Sequence, residues 1–184
     1  MPAFIDFNEG VSKLSYFCPT ICVNKVTDIS KTMLQNYKMK AVLLDIDNTL
    51  SAHNTNNPFD GVNEWLDEIK KLKIKLLILS NRSNVQSVDR FAKKLNLEYV
   101  ANAKKPFQAG FNRAISMLNL PRENILLVGD QIFTDILGAN IAGIKSALVE
   151  PQDKNESLFI KIKRLFEAPF RTAIRYSKKR NVEK

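Results

Sequence analysis

Between residues 41 and 149 short apolar runs alternate with stretches of helical period. This alternation constrains the fold more than any other feature of the chain. Residues 41–46, 74–79, 99–100, 125–128 and 145–149 read as strands. Residues 61–72 repeat apolar side chains at Val62, Trp65, Leu66, Ile69 and Leu72, the spacing of one helix face. Residues 84–95, 107–118 and 134–141 read as helices in the same way, the last ended by Gly143. Single helices between successive strands predict an α/β fold: a Rossmann-like three-layer αβα sandwich with a mainly parallel sheet. Residues 20–40 add a short strand and a helix packed on that sheet. A chain of 184 residues has room for one such domain, assigned to 1–150. A C-terminal segment, 151–184, follows, with the boundary at 151–155.

The first core strand ends in two carboxylates, Asp45 and Asp47, within Asp45-Ile46-Asp47-Asn48-Thr49-Leu50. Buried carboxylates need neutralising. A hard divalent cation such as Mg²⁺, which uses one or two carboxylates together with phosphate oxygens, suits the pair. In a parallel α/β sheet the reactive groups gather beyond the carboxyl ends of the strands. Here Ser80 and Asn81 end the second strand, Lys104 and Lys105 follow the third, and Gly129-Asp130 ends the fourth and leads to Asp135. That set fits phosphoryl transfer. One carboxylate attacks phosphorus, a second moves protons, and a lysine, a serine and a metal hold the phosphoryl oxygens. The polar loop at His53, Asn54 and Asn56 overlooks the site but reads as solvated loop rather than catalytic.

As an ordered set these motifs resemble the haloacid dehalogenase (HAD) superfamily of phosphatases over about residues 40–149. The resemblance implies Asp45 as nucleophile and Asp47 as general acid and base. It implies Mg²⁺ on Asp45, Asp130 and the backbone carbonyl of Asp47. Ser80, Asn81 and Lys105 would bind phosphate, and Thr49 and Asp135 would support them. Of the two lysines, Lys105 lies immediately before Pro106 and fits the pattern better. The closer likeness is to the YqeG-type branch of subclass IIIA, which is similar to the mitochondrial phosphatidylglycerophosphate phosphatases. It rests on the absent cap and on Gly129-Asp-Gln-Ile-Phe-Thr-Asp-Ile-Leu-Gly-Ala-Asn140. It implies removal of the terminal phosphate of phosphatidylglycerophosphate to give phosphatidylglycerol. The alternatives are a soluble metabolite or polynucleotide end as substrate, or an RNA- or ribosome-associated binding protein.

The spacings leave no room for a cap domain. Asp47 and Ser80 are 33 residues apart, and Ser80 and Lys105 are 25 apart. An open site suits phosphate carried on something large, such as a lipid surface, a protein or a nucleic acid, unless oligomerisation supplies a lid. The net charge is +9, and residues 151–184 hold ten Lys/Arg against four Asp/Glu, a surplus of +6. Leu158, Ile162, Leu165, Phe166, Phe170, Ala173 and Ile174 alternate there with basic residues, and Pro169 is expected to break or kink the pattern. Such a segment either lies in an anionic membrane interface or packs its apolar side on the domain, leaving its basic side in water. Residues 1–10 include Asp6 and Glu9 and lack a basic-then-apolar leader pattern. Cys18 and Cys22 read as ordinary reduced thiols. The expectation is a cytoplasmic protein, peripheral at the inner face of the membrane, that takes a lipid phosphate.

Overall fold

A computed structural model describes residues 13–53, 55–153 and 158–182. The expectations for residues 1–10, Asn54 and residues 154–157 lie outside the described residues.

Six parallel strands form one sheet in the order β1-β6-β5-β2-β3-β4. They are β1 (Ile21–Val23), β2 (Ala41–Leu44), β3 (Lys75–Leu79), β4 (Glu98–Val100), β5 (Ile125–Gly129) and β6 (Lys145–Val149). The helices are α1 (Lys31–Asn36), α2 (Val62–Lys71), α3 (Val85–Leu95), α4 (Gln108–Leu118), α5 (Leu137–Ile141) and α6 (Leu158–Val182). The chain runs from β2 through β3 to β4 on one side, then crosses to β5 and β6 on the other. The strand order therefore reverses at β2, which pairs with both β3 and β5. Ligands of open α/β sheets bind at such a reversal, beyond the strand ends.

Alternation along β2 assigns the two covering layers. Val42 and Leu44 point to the side of α1, α2 and α3, where Leu34, Trp65, Leu66, Phe91 and Leu95 complete one core. Ala41 and Leu43 point to the side of α4 and α5, against Phe111, Ala114, Leu118 and Ala139. All four β2 side chains are fully buried, as expected of a central strand covered on both faces. The Trp65 indole donates to the Ile29 carbonyl at 2.9 Å, satisfying the one polar atom that this large side chain brings inside. Side-chain caps start two helices: Ser30 Oγ accepts from Met33 N at 3.2 Å, and Asn84 Oδ1 accepts from Ser87 N at 3.1 Å.

The expected alternation and the uncapped plan both appear. Between Asp47 and Ser80 the described residues form a loop, α2 and β3, with no inserted domain. Two elements differ from expectation. The helix expected from residue 134 begins instead with a π-helical turn, Ile132–Ile136, before α5. The C-terminal helix also runs through Pro169 without ending. A third core cluster, Ile132, Ile136 and Leu148, is covered by Phe17, Phe133, Phe170 and Ile174, and so seats α6 on the body of the sheet. Phe17, Phe133 and Phe170 pack there as an aromatic trio with ring centres 5.0–5.7 Å apart.

Candidate active site

Four strand ends converge on one cavity of about 530 Å³ whose wall includes Asp45, Asp47, Lys105 and Asp135. Asp45 extends β2, its amide still donating to the Val128 carbonyl at 3.0 Å. Its carboxylate is buried and meets Lys105 Nζ at 2.6 Å. The same ammonium meets Asp135 Oδ1 at 2.6 Å, so one buried cation bridges two buried anions. Lys104, by contrast, is exposed, at φ 53°. The Asn81 amide clamps the Lys105 backbone, accepting from its N–H at 2.7 Å and donating to its carbonyl at 3.1 Å. The Asn81 side chain thus sets the lysine loop. Ser80 is fully buried, and its Oγ accepts from Arg82 N at 3.1 Å. Thr49 is also buried, and its hydroxyl finds no hydrogen-bond partner among the described residues.

Asp47 belongs to a different group. Its carboxylate receives Arg82, through Nη2 at 2.7 Å and Nε at 3.1 and 3.2 Å. His53 Nδ1 lies 3.3 Å from Asp47 Oδ1, and His53 lines the cavity. His53 overlooks the site, as expected from its place just past Asp47, because the loop after β2 folds back over the cavity. Asn56 does stay on the surface, 3.4 Å from the Ser87 hydroxyl.

Asp130 ends β5 beside Asp45, where Gly129 brings the chain close to Asp135. A Cβ at Gly129 would collide with the Asp135 side chain. Asp135 is turned to receive Gln131 N at 3.0 Å. The loops that follow β4 and β5 thus share Asp135 as a common support.

Burial dominates the electrostatics. It pushes Asp45 well above the ordinary carboxylate range; Lys105 opposes the rise, and the neighbouring Asp135, Asp130 and Asp47 reinforce it. Burial likewise lifts Asp130 to about 7, against the pull of Arg164 and with further help from Asp135. Burial alone would lower Lys105, but Asp135 and Asp45 outweigh it and its pKa ends raised. This concentration of negative charge asks for a cation. Oxygens of Asp45, Asp130 and Asp135 lie within 4.8 Å of one another. Asp130 Oδ1 is buried with no hydrogen-bond partner among the described residues. A hard divalent cation fits such an all-oxygen set.

Comparison with known proteins decides the family. The model of the haloacid dehalogenase-like hydrolases matches residues 23–149, more than half of the chain. The chain belongs to that family. A relative from Bacillus subtilis (strain 168), named "Probable phosphatase YqeG", is 31% identical over 160 residues, 87% of this chain and 92% of that protein. A glyceraldehyde 3-phosphate phosphatase of Pyrococcus abyssi is 25% identical over 109 residues, 53% of this chain and 46% of that protein. Among solved structures, a protein from Listeria monocytogenes serotype 4b shares the fold. Its TM-score is 0.54 at 23% identity, covering 65% of this chain and 86% of that one.

This HAD-type phosphatase also has site residues that its motifs do not announce. Arg164 of α6 reaches Asp130, donating to the carboxylate through Nη2 and to the carbonyl through Nη1 at 2.7 Å. Arg171 donates to the same carbonyl and lies 3.1 Å from Glu150. Buried Glu167 sits between the two arginines and accepts from the amides of Ile132 and Phe133, at 2.7 and 3.3 Å. Those amides open the π-helical turn, where an anion is favoured. Ile160 and Lys163 complete the cavity wall. Asp153 N donates to Asn48 Oδ1 at 2.9 Å, tying the approach to α6 to the loop that carries Asp47. One of the two placements open in the sequence had this segment pack on the domain with its basic side in water. Arg164 and Arg171 instead turn inward, because buried Asp130 and Glu167 offer stronger partners than solvent does.

Proposed function

We propose that this HAD-type phosphatase is a Mg²⁺-dependent phosphomonoesterase working through an aspartyl-phosphate on Asp45. The observation that carries the reading is Asp45 itself: a buried carboxylate at the chain reversal, facing the cavity and held by Lys105 at 2.6 Å. The Asp45 carboxylate oxygen attacks phosphorus while the bond from phosphorus to the substrate oxygen breaks. Asp47 gives its proton to the departing alkoxide, then takes one from the water that attacks phosphorus and releases phosphate. Arg82 and His53 orient the Asp47 carboxylate for both transfers. Lys105 and Ser80 hold phosphoryl oxygens. Asp45, Asp130 and the Asp47 carbonyl would hold the metal, with Asp135 and Thr49 in support. When bound, Mg²⁺ supplies positive charge to the phosphoryl group.

The substrate we propose is phosphatidylglycerophosphate, converted to phosphatidylglycerol at an anionic membrane surface. An uncapped cavity with Ile160 and Lys163 in its wall supports this reading, since it offers an apolar and a cationic side chain to a phosphate carried on a larger, anionic lipid. No described helix is long and apolar enough to cross a membrane, so the reading needs only peripheral contact. A second reading, a soluble triose phosphate, is favoured by the Pyrococcus relative alone. A substrate panel with and without Mg²⁺ separates the two. Phosphatidylglycerophosphate in mixed micelles should turn over faster than glyceraldehyde 3-phosphate, nucleotides or phosphorylated polynucleotide ends. Faster turnover of any soluble substrate overturns the lipid reading.

A further inference from the structure

Helix α6 presents two unlike faces. The inner face carries Ile160, Arg164, Glu167 and Arg171, which touch the cavity, Asp130 and the π-helical turn, together with Phe170 and Ile174, which pack on the third core cluster. The outer face carries Ile162, Leu165 and Phe166, which are 48%, 74% and 65% exposed. Spacings of three and four residues bring these three side chains together as one apolar ridge. A helix that packs only on its own protein turns its apolar stripe inward and seldom groups three large apolar side chains on its outer side. Other exposed large apolar residues, such as Tyr16, Val85, Phe107 and Met117, belong to different elements and need no partner.

We propose that α6 is a docking helix for an anionic membrane surface, with Ile162, Leu165 and Phe166 seated in the lipid interface. The proposal rests on the lipid-phosphate reading for its purpose, but its physical basis is separate. Lys161 is exposed beside the ridge, and Lys178, Lys179 and Arg180 follow in the sequence. Their charge complements anionic headgroups, and the ridge supplies apolar contact, the two contributions that hold an interfacial helix. A second copy of the chain fits the ridge less well. It would bring its own +9 charge and basic flank to the same contact. Three side chains are also small beside the roughly 800 Å² per partner of a standard stable interface. Nucleic acid offers phosphates but nothing that an isolated apolar ridge would need to bury. Docking also has a functional consequence. The turns that carry the ridge also carry Ile160 and Lys163 of the cavity wall, so a docked helix would hold the cavity about one helix diameter, roughly 10 Å, from the lipid surface.

The test uses the full chain and sedimentation with vesicles. Protein should co-sediment with phosphatidylglycerol-containing vesicles, less so as salt rises, and should not sediment with pure phosphatidylcholine. Leu165→Glu with Phe166→Glu should weaken that binding by about tenfold or more. Mg²⁺-dependent hydrolysis of a soluble aryl phosphate by the same variant should stay unchanged, which also checks folding. Phe166→Ala alone should give an intermediate loss. Three results overturn the proposal: no binding of the native chain to anionic vesicles, native-like binding by the double variant, or a dimer of the native chain that the double variant dissociates. Turnover of a monomeric short-chain phosphatidylglycerophosphate separates the two claims. If vesicles bind but this lipid is not hydrolysed, docking stands and the substrate reading fails. If it is hydrolysed but vesicles do not bind, docking fails.

Discussion

Asp45 and Asp130 end neighbouring strands, and both are buried, yet different parts of the chain answer their charges. Asp45 is met by Lys105, which arrives on the loop after β4, within the sheet's own edge. Asp130 is met by Arg164, which arrives on α6. The first pair is built from strand ends, where any parallel α/β sheet concentrates its chemistry. The second pair is built from a segment that the sequence marks chiefly by its positive charge. The contrast shows that the site has one half supplied by the topology of the sheet and another completed by a helix laid across it. Removing the cap from the plan of the fold has not left Asp130 in open water, because α6 covers it.

Substitutions that remove one counter-ion at a time sharpen this comparison. Lys105→Met should have the largest effect, because it leaves both Asp45 and Asp135 without their shared cation. Losing one member of a buried ion pair costs about 3–5 kcal/mol. A urea titration should show a drop of that size, and turnover should fall about a thousandfold. Arg164→Ala should cost about 3 kcal/mol or less in metal-free protein, since its side chain is 15% exposed against 2% for Lys105. Added Mg²⁺ should recover part of that loss by binding the same carboxylates. Equal losses for the two variants would remove the distinction between the two halves of the site.

Buried Asp45 is raised as well, so a pH series isolates the Asp130 side only by comparison with Asp130→Asn. The Asp130 carboxyl is raised from an ordinary 3.8 to about 7. A carboxyl raised on folding binds its proton more tightly in the native state, so stability is greatest below the unfolded value and falls as pH rises towards the folded one. In chelator, the thermal midpoint should therefore decline more steeply between about pH 4 and about pH 7 than that of Asp130→Asn. Mg²⁺ should flatten the decline. A steeper slope in the variant would contradict the assignment. The smallest effect is expected from His53→Ala. His53 touches Asp47 at 3.3 Å, while Arg82 already holds that carboxylate at 2.7 Å. Turnover should drop by no more than about tenfold, measured as kcat at saturating Mg²⁺.

Much of the strand-end half was legible in the sequence. Strands of the central sheet are nearly continuous apolar runs, and the helices between them keep a clean 3.6-residue period. The residues just past each run then fall at one edge by topology alone, which brought Asp45, Ser80, Lys105 and Asp130 together. The α6 half was not legible, for a physical reason. Helical period reports which residues share a face, not which face turns inward. In α6 both an apolar set and a charged set share faces, and the inward set was chosen by buried Asp130 and by the open amides of Ile132 and Phe133. Glu167 was the available signal: one acidic residue between Arg164 and Arg171 at spacings of three and four. The contact of His53 with Asp47 was not legible, because a loop's direction depends on tertiary contacts. Here these include the backbone pairing of Asn48 with Ser51 and the Arg82 bond to the Thr55 carbonyl.

The central claim is that Asp45 carries the phosphoryl group during turnover. An acid-quenched single turnover followed by peptide mass mapping tests it directly. The native protein should show a phosphoryl adduct on the peptide containing Asp45, and Asp45→Asn should show neither adduct nor turnover. Hydrolysis that persists in Asp45→Asn, or an adduct on any other residue, would contradict the account.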